Sequence, residues 1–203
     1  MYSTRSGLIL GFHGCDHSVA QAVLNGRSSL KASVNIYDWL GHGSYFWENS
    51  PARALEFAQH IQKNPNRSTG KITKPAVIGA VIDLGVCLDL LDYQNLQLLK
   101  TAYQFVTNTR KNTDIPKNRA TGISNDLLLK ELDCTVIETV HALKSQTGQD
   151  AFDSVRGVFF EGEEIYPNAS FRTKDHIQIC VRNPNCIKGF FLPRELDKQF
   201  PKV

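Results

Sequence analysis

The chain has 203 residues, of which 41% are hydrophobic and 21% charged, and its formal net charge is +3. This is the composition of an ordinary globular protein, and it excludes low-complexity and collagen-like chains. The length favours one core, so we predict a single domain over residues 1–203. No run of eighteen apolar residues occurs, and no cleavage site follows the short apolar piece near the start. We therefore expect neither a transmembrane span nor a secretory signal.

The first half of the chain predicts strands and helices in alternation. Residues 7–13 form a short apolar stretch between glycines, which is typical of a strand. A short helix capped by Asp16 should follow. After a glycine-rich loop, residues 44–47 predict an aromatic strand, and Ser50-Pro51 predicts the start of a second helix.

The second half predicts helices first and strands last. Apolar periodicity predicts a helix over 93–107 and the longest one over 125–144, capped by Ser124. The remaining predicted strands cover residues 76–83, 156–160, 176–182 and 187–192. Strands at both ends with helices between them favour an α+β domain over a βαβ series. Neither Gly-x-Gly-x-x-Gly nor a Walker-type loop is present, so the sequence lacks the common nucleotide-binding motifs.

The cysteine content bears on the compartment. The number is odd, the spacing is irregular, and no Cys-x-x-Cys pair occurs. The cysteines are Cys15, Cys87, Cys134, Cys180 and Cys186. This pattern favours reduced thiols, so we predict a cytoplasmic protein.

The first candidate site is the Phe-His-Gly segment at residues 12–14, at the end of the first predicted strand. An imidazole there can bond a ribose hydroxyl, and glycine leaves the main chain open to a flat ring. The alternative is a structural histidine with satisfied hydrogen bonds. His13, Cys15 and His17 are also zinc-ligand types, but the predicted helix cap ends the strand and no second ligand pair follows. We therefore predict no metal site.

The second candidate is the segment 37–47, which is rich in aromatic residues and glycine. Exposed aromatic rings beside glycines suit stacking on a flat heterocycle, although core packing is the alternative. Period-two alternation turns Phe46 away from Tyr45. We expect Tyr45 to be available for stacking and Phe46 to pack in the core.

Acidic side chains form a third candidate. The loop after the predicted strand 156–160 holds Glu161, Glu163 and Glu164. These carboxylates serve as general bases or bind a cationic group, or they belong to a solvated turn.

The predicted strand 176–182 is the fourth candidate. Alternation puts His176, Gln178 and Cys180 on one face and apolar residues on the other, so we expect the first face to line a cleft. A cysteine–histidine hydrolase built on Cys15 or Cys180 is a rival enzyme class, but no nucleophile turn is recognisable.

Three of these segments, in this order, resemble the poly(ADP-ribose)-polymerase branch of the ADP-ribosyltransferase superfamily. They are residues 12–14 (Phe-His-Gly), residues 43–46 (Gly-Ser-Tyr-Phe) and the strand from His176 to Val181. The family pattern is a strand ending in His-Gly, then Gly-x-Tyr-Phe before a helix, then a catalytic Glu on a late strand. The resemblance implies a split, twisted β-sheet core with flanking helices. It also implies an NAD⁺-dependent transferase that cleaves the nicotinamide–ribose bond, with NAD⁺ as substrate.

The resemblance also implies roles for single residues. His13 would orient the nicotinamide ribose, and the backbone of Gly14 would pair with the nicotinamide amide. Tyr45 would stack on the nicotinamide ring, with Ser44 beside it in the cofactor-binding motif. Phe57, in the predicted second helix, resembles the family's second stacking aromatic.

The chain departs from the pattern at Gln178, which stands where the family has its catalytic Glu. A glutamine can bond a ribose hydroxyl but cannot act as a base. Either Gln178 suffices with a nucleophilic acceptor, or a loop carboxylate such as Glu161 reaches in, or NAD⁺ is bound without turnover. We expect transfer of a single ADP-ribose unit, with His13, Tyr45, Gln178 and Glu161 as the catalytic set.

The motifs do not specify the acceptor, which we expect to be a nucleic acid, including RNA, or a protein. Two basic clusters suit nucleic-acid phosphates or are solvated loops. They are Lys63, Arg67, Lys71 and Lys74, and Arg110, Lys111, Lys117 and Arg119. A small transferase also resembles bacterial toxins and phage-defence effectors, which implies a neutralising partner and no membrane. A non-catalytic NAD⁺ or ADP-ribose-binding module and an NAD⁺ glycohydrolase are the alternatives.

Overall fold

The computed structural model describes residues 7–65, 70–110, 115–120 and 126–201. These residues form an α+β fold, as predicted, with a seven-stranded sheet, a two-stranded ladder and four α-helices. The strands are β1 (Ile9–Asp16), β2 (Ser44–Glu48), β3 (Pro75–Ile82), β4 (Cys87–Asp89), β5 (Asn118–Arg119), β6 (Leu129–Lys130), β7 (Ser154–Phe159), β8 (His176–Val181) and β9 (Ile187–Phe191). The helices are α1 (His17–Leu24), α2 (Pro51–Lys63), α3 (Tyr93–Thr109) and α4 (Glu131–Gln146), and a short 3₁₀ helix covers Pro184–Cys186.

The seven-stranded sheet has the order β4-β7-β8-β2-β1-β3-β9, and only its β4–β7 pair is parallel. β1 pairs with β3 over all eight of its residues. With β2 it pairs only at Gly11 and Phe12, whose partners are Glu48 and Trp47. β1 and β2 therefore separate after Phe12, and the sheet opens at this point.

One face of the sheet is closed by apolar packing and by α1. Phe46 and Ile179 are opposite each other on β2 and β8 and share a buried cluster with Ala80 and Ile82 of β3. Next to it, the buried face of α1 packs on β1 and β3 through Ala20 and other residues. This packing buries the inward-facing side chains of β2, β3 and β8 on this face.

The other face is covered in two places. α2 lies over β1 and β3, where Ala54 packs with Phe12 and Trp47. α3 and α4 cover the β7 and β8 side through a cluster that includes Ala102 and Ile137. The part of β2 and β8 between these two covers carries several of the predicted site residues.

Most predicted elements are present with ends that differ by a few residues. Asp16 caps α1 as predicted, because its carboxylate accepts a hydrogen bond from the Ser18 backbone at 2.9 Å. Ser50 stands at the N-cap position of α2, and Pro51 opens the helix, but the Ser50 side chain makes no capping bond. No described helix is long and apolar enough to cross a membrane.

The predicted helix 125–144 is wrong at its start. α4 begins at Glu131, directly after β6, with Lys130 at the N-cap position. The predicted cap, Ser124, lies outside the described residues. Pairing of β6 with β5 takes up the residues before Glu131, and apolar periodicity does not register a two-residue strand. At 17 residues, α3 rather than α4 is the longest helix of the described chain.

Candidate functional site

The candidate site lies where β1 and β2 separate. The Leu10 carbonyl accepts a hydrogen bond from the backbone of Asn49 at 2.9 Å. Bonding directions alternate along a strand, so Leu10, Phe12 and Gly14 all direct their N–H and C=O groups toward β2. The ladder with β2 ends at Phe12. The backbone groups of Gly14 therefore face the opening between the two strands.

The His13 side chain bridges this opening. Its Nδ1 lies 2.8 Å from the carbonyl oxygen of Tyr45 on β2. Because a carbonyl only accepts hydrogen bonds, Nδ1 carries the proton, and burial lowers the pKa of His13 below its usual value. The ring is thus neutral at pH 7, and its Nε2 is an acceptor. No residue in the described part of the chain supplies a hydrogen-bond partner for that nitrogen.

Gly14 also has a packing role. A Cβ atom at this position would overlap the carbonyl oxygen of Ala54 in α2. The helix therefore approaches β1 too closely for any side chain at position 14. Glycine is needed here for the contact with α2, and its predicted role of leaving the backbone open to a ligand stays a prediction.

Tyr45 is anchored through its hydroxyl group. That group donates to the Gly41 carbonyl at 2.8 Å and accepts from the Leu40 backbone at 3.0 Å. One side of the ring packs on the buried cluster that contains Leu40 and Cys180, and burial raises the pKa of the hydroxyl well above its usual value. The hydroxyl therefore holds the preceding loop, and the half-exposed ring is the part of Tyr45 that remains for a ligand.

Ser44 and Phe46 project from the opposite face of β2, as strand alternation requires. Phe46 is 0% exposed, which confirms its predicted place in the core. Its ring contacts the His13 ring edge-on, with 5.9 Å between ring centres. Ser44 is buried on this face as well, so its hydroxyl does not lie beside the Tyr45 ring.

Gln178 lies one strand farther from β1 than Tyr45 does. It pairs across strands with Trp47, and it shares the face that carries the Tyr45 ring. Its Oε1 accepts a hydrogen bond from Nε1 of Trp39 at 2.6 Å. Both Gln178 and Trp39 are half-exposed.

Aromatic rings surround Gln178 on this face. Phe57 of α2 lies on Trp47, with 5.0 Å between ring centres. Trp47 is 6.0 Å from His176, which in turn stacks on Phe159 at 5.4 Å. Phe57 is 39% exposed, so its outer surface is open to a ligand. We call the rings of Trp39, Trp47, Phe57, Phe159 and His176 the aromatic strip.

Two buried nitrogens in the aromatic strip have no partner among the described residues: Nε1 of Trp47 and Nε2 of His176. His176 bonds the Lys174 carbonyl through Nδ1 at 2.6 Å, and burial lowers its pKa to about 4. It is therefore a neutral ring at pH 7. The predicted polar face of β8 is only partly right, since Cys180 on the same face is fully buried in the core and not in a cleft.

Glu161 is held by basic side chains. Its carboxylate is 2.9 Å from the Arg53 guanidinium on α2 and 4.0 Å from Nζ of Lys174. These cations neutralise the carboxylate and direct it toward α2. Glu163 and Glu164 are exposed, and Glu164 accepts a bond from the backbone of Asn168 as in an ordinary turn.

The predicted site residues thus fall into two adjacent groups. His13, Gly14 and the backbone of Tyr45 meet at the opening, whereas Gln178 and Phe57 belong to the neighbouring aromatic strip. Alternation along β1 turns His13 to the face opposite the Tyr45 ring and Gln178. His13 therefore reaches Tyr45 through its backbone carbonyl, and it does not share one surface with the Tyr45 ring and Gln178. Glu161 lies on the α2 side of the strip.

The thiols show no sign of activation. All five cysteines are buried and none forms a disulfide. Burial raises the pKa of Cys15 to about 11, and it raises the pKa of Cys180 above the ordinary range for a thiol. A thiol that stays protonated is a poor nucleophile, which removes support for the cysteine–histidine hydrolase. Within the described residues, no three or more His, Cys, Asp or Glu side chains are arranged to hold a metal ion.

The basic clusters are separate from the opening. The described members Lys63, Lys71 and Lys74 are exposed, as are Arg110 and Lys117. Arg119 forms an ion pair with Glu131. The other two predicted members, Arg67 and Lys111, lie outside the described residues.

A depression of about 570 Å³ lies elsewhere on the surface, and none of the predicted cofactor residues lines it. Its lining includes His42, Val86, Phe152, Arg182 and Asn183. The Arg182 guanidinium is already paired with Glu138, at 2.5 Å. The depression is therefore not part of the candidate site.

Sequence reasoning missed Trp39 and Arg53 as parts of the site. Trp39 stood in a segment already marked as aromatic, but its partner Gln178 is 139 positions away. Arg53 meets Glu161 across 108 positions. Local patterns cannot reveal pairings at such distances, because only the sheet topology brings these positions together.

No family model, no curated protein and no solved structure matches this chain. The family resemblance drawn from the three short motifs therefore stays a prediction.

Proposed function

We propose that this protein binds NAD⁺ and transfers a single ADP-ribose unit to a macromolecular acceptor, on an ADP-ribosyltransferase-like split sheet. The observation that carries the proposal is the neutral His13 ring, which donates through Nδ1 to the Tyr45 carbonyl and leaves Nε2 as an acceptor. Such a nitrogen is suited to a hydroxyl donor such as that of ribose. It stands beside the Gly14 backbone, which faces the same opening.

The chemistry of NAD⁺ cleavage fits these groups. Loss of nicotinamide leaves positive charge on the ribose, so the ring that leaves and the ribose must both be held in place. A nicotinamide carboxamide has donor and acceptor groups that complement the C=O and N–H of Gly14. The exposed faces of Tyr45 and Phe57 offer flat surfaces for the ring.

Gln178 favours slow cleavage of NAD⁺. It is an amide, and the nearest loop carboxylate, Glu161, is already paired with Arg53. Neither group is a free base, so the acceptor itself must be a good nucleophile. The lack of a free base also favours the second candidate, an NAD⁺ or ADP-ribose-binding module with little turnover. If NAD⁺ is turned over, NAD⁺ glycohydrolysis is the reaction that competes with transfer.

The acceptor in this proposal is a nucleic acid or a protein. The exposed cations Lys63, Lys71 and Lys74 support an acceptor with phosphates. A cytoplasmic location is part of the proposal and is supported by five thiols without a disulfide. The toxin or phage-defence role, with a neutralising partner, rests on the motif resemblance alone.

The proposal is tested by incubating the purified protein with NAD⁺ labelled in its adenylate part and a cell lysate, followed by separate nuclease and protease digestion. We expect label in a macromolecule and release of nicotinamide. Loss of label after nuclease alone identifies a nucleic acid, and loss after protease alone identifies a protein.

Two other outcomes would replace the transferase. Nicotinamide release without labelled macromolecule selects glycohydrolysis. A thermal shift with NAD⁺ but no nicotinamide release selects the binding module. Wild-type labelling by His13→Ala and Tyr45→Ala would show that the site is wrong.

A further inference from the structure

A hydrogen bond joins the side chain of Trp39, in the aromatic strip, to that of Gln178, and chemistry fixes its direction. An indole N–H is only a donor, so the Gln178 atom 2.6 Å from it must be the carbonyl oxygen Oε1. The amide group is planar, and its NH₂ lies on the side opposite Oε1. The NH₂ group is therefore turned away from Trp39. No residue in the described part of the chain bonds it.

The Trp39 ring is itself fixed by its surroundings. It packs on Gly157, where a Cβ atom would come within 2.9 Å of the indole. It meets the Phe159 ring edge-on at 4.9 Å, and Nζ of Lys130 lies 5.9 Å from its ring centre. A ring held on several sides directs its N–H along one line. The orientation of Gln178 thus follows from packing that does not involve Gln178.

We propose that Trp39 is a positioning residue that holds the Gln178 side chain with its NH₂ group toward the ligand. The site then donates a hydrogen bond to an acceptor oxygen of the ligand, whereas a carboxylate at position 178 would accept one from a ligand hydroxyl. The inference rests on the proposed function, in which that oxygen belongs to the ribose of NAD⁺. It also accounts for a glutamine at this position, because an amide, unlike an ionised carboxylate, offers a donor to the ligand while accepting from an indole.

The first test measures the Trp39–Gln178 hydrogen bond directly and does not depend on enzymatic activity. The chain has two tryptophans, so a ¹⁵N spectrum shows two indole N–H signals, and Trp39→Phe assigns them. We expect Gln178→Glu to shift the Trp39 indole signal strongly, since an ionised acceptor strengthens the bond. Gln104→Glu, an exposed position on α3, is the control and should leave both indole signals in place. An unmoved Trp39 signal in Gln178→Glu overturns the inference, whatever the protein does to NAD⁺.

The second test reads the positioning role through nicotinamide release. Trp39→Phe keeps an aromatic ring but lacks the N–H, and we expect kcat to fall about fivefold with KM little changed. A carboxylate presents the same kind of oxygen on both sides, so its orientation does not change what it offers the ligand. In the Gln178→Glu background, Trp39→Phe should therefore alter kcat by less than about twofold. A fall of the same size in both backgrounds overturns the positioning role and leaves Trp39 as a packing residue.

The two proposals fail in different ways. If the wild type neither binds NAD⁺ nor releases nicotinamide, the proposed function fails and the positioning role fails with it. If the wild type turns over NAD⁺ and Trp39→Phe equals it, only the inference on Trp39 fails.

Discussion

At the residue scale, the protonation of one imidazole decides what the opening can bind. A charged His13 would be a donor at both nitrogens and could not accept from a hydroxyl. Burial keeps the ring neutral, and the hydrogen bond to the Tyr45 carbonyl, which by itself favours the charged form, fixes the proton on Nδ1. The residue thus combines a structural bond to β2 with an acceptor nitrogen, and its ribose-binding role stays a prediction.

These two roles can be separated by His13→Asn. An asparagine amide reaches about as far as Nδ1 of histidine, so it can still donate to the Tyr45 carbonyl but offers nothing at the Nε2 position. We expect stability close to wild type and NAD⁺-dependent activity reduced about 10- to 100-fold, which corresponds to one lost substrate hydrogen bond. Urea unfolding and nicotinamide release measure the two effects. Full activity in His13→Asn would show that Nε2 does not touch the substrate.

At the scale of elements, the site depends on the close contact of α2 with β1. The carbonyl of Ala54 occupies the space that a side chain at position 14 would need. α2 also carries Phe57 and Arg53, which belong to the aromatic strip and its acidic neighbour. Movement of this one helix would therefore disturb both groups of site residues together.

Gly14→Ala tests that dependence. The added methyl group forces α2 away from the sheet, and we expect the free energy of unfolding to fall by about 1–3 kcal/mol, the usual effect of overpacking. Gly189→Ala on β9 is the matched control, since a methyl group at that exposed position would meet no other atom within 4 Å. Urea unfolding of both variants measures the difference. Equal stability of the two would show that the packing of α2 on Gly14 is not tight.

At the scale of the whole molecule, two buried neutral histidines make stability depend on pH. Burial lowers the pKa of His141 and of His176 to about 4. In the unfolded chain both rings regain the usual histidine pKa near 6.5, so below that pH the unfolded state binds more protons than the folded one. The stability that neutral rings provide is complete above about pH 6.5. It is lost progressively as the pH falls toward 4.

The expected result is a falling free energy of unfolding between about pH 6.5 and 4, measured by urea unfolding at several pH values. His141→Leu should flatten this dependence and raise stability at pH 5. Both ring nitrogens of His141 lack hydrogen-bond partners among the described residues, so the substitution removes a buried polar group without breaking a bond. A pH dependence as steep as that of the wild type would show that protonation of His141 does not limit stability.

The sequence by itself determined the α+β class, the Asp16 cap of α1 and the burial of Phe46, because these follow from short-range periodicity and capping chemistry. It also singled out His13 and Tyr45, which the structure brings into contact. Strand pairing, however, decided which residues share a face, and the packing of α2 and the loops on the sheet put Trp39 on Gln178 and Arg53 on Glu161. Strand pairing likewise decided that β1 and β2 separate after Phe12. Contacts across more than a hundred positions depend on the register of distant strands, and no local pattern in the chain encodes that register.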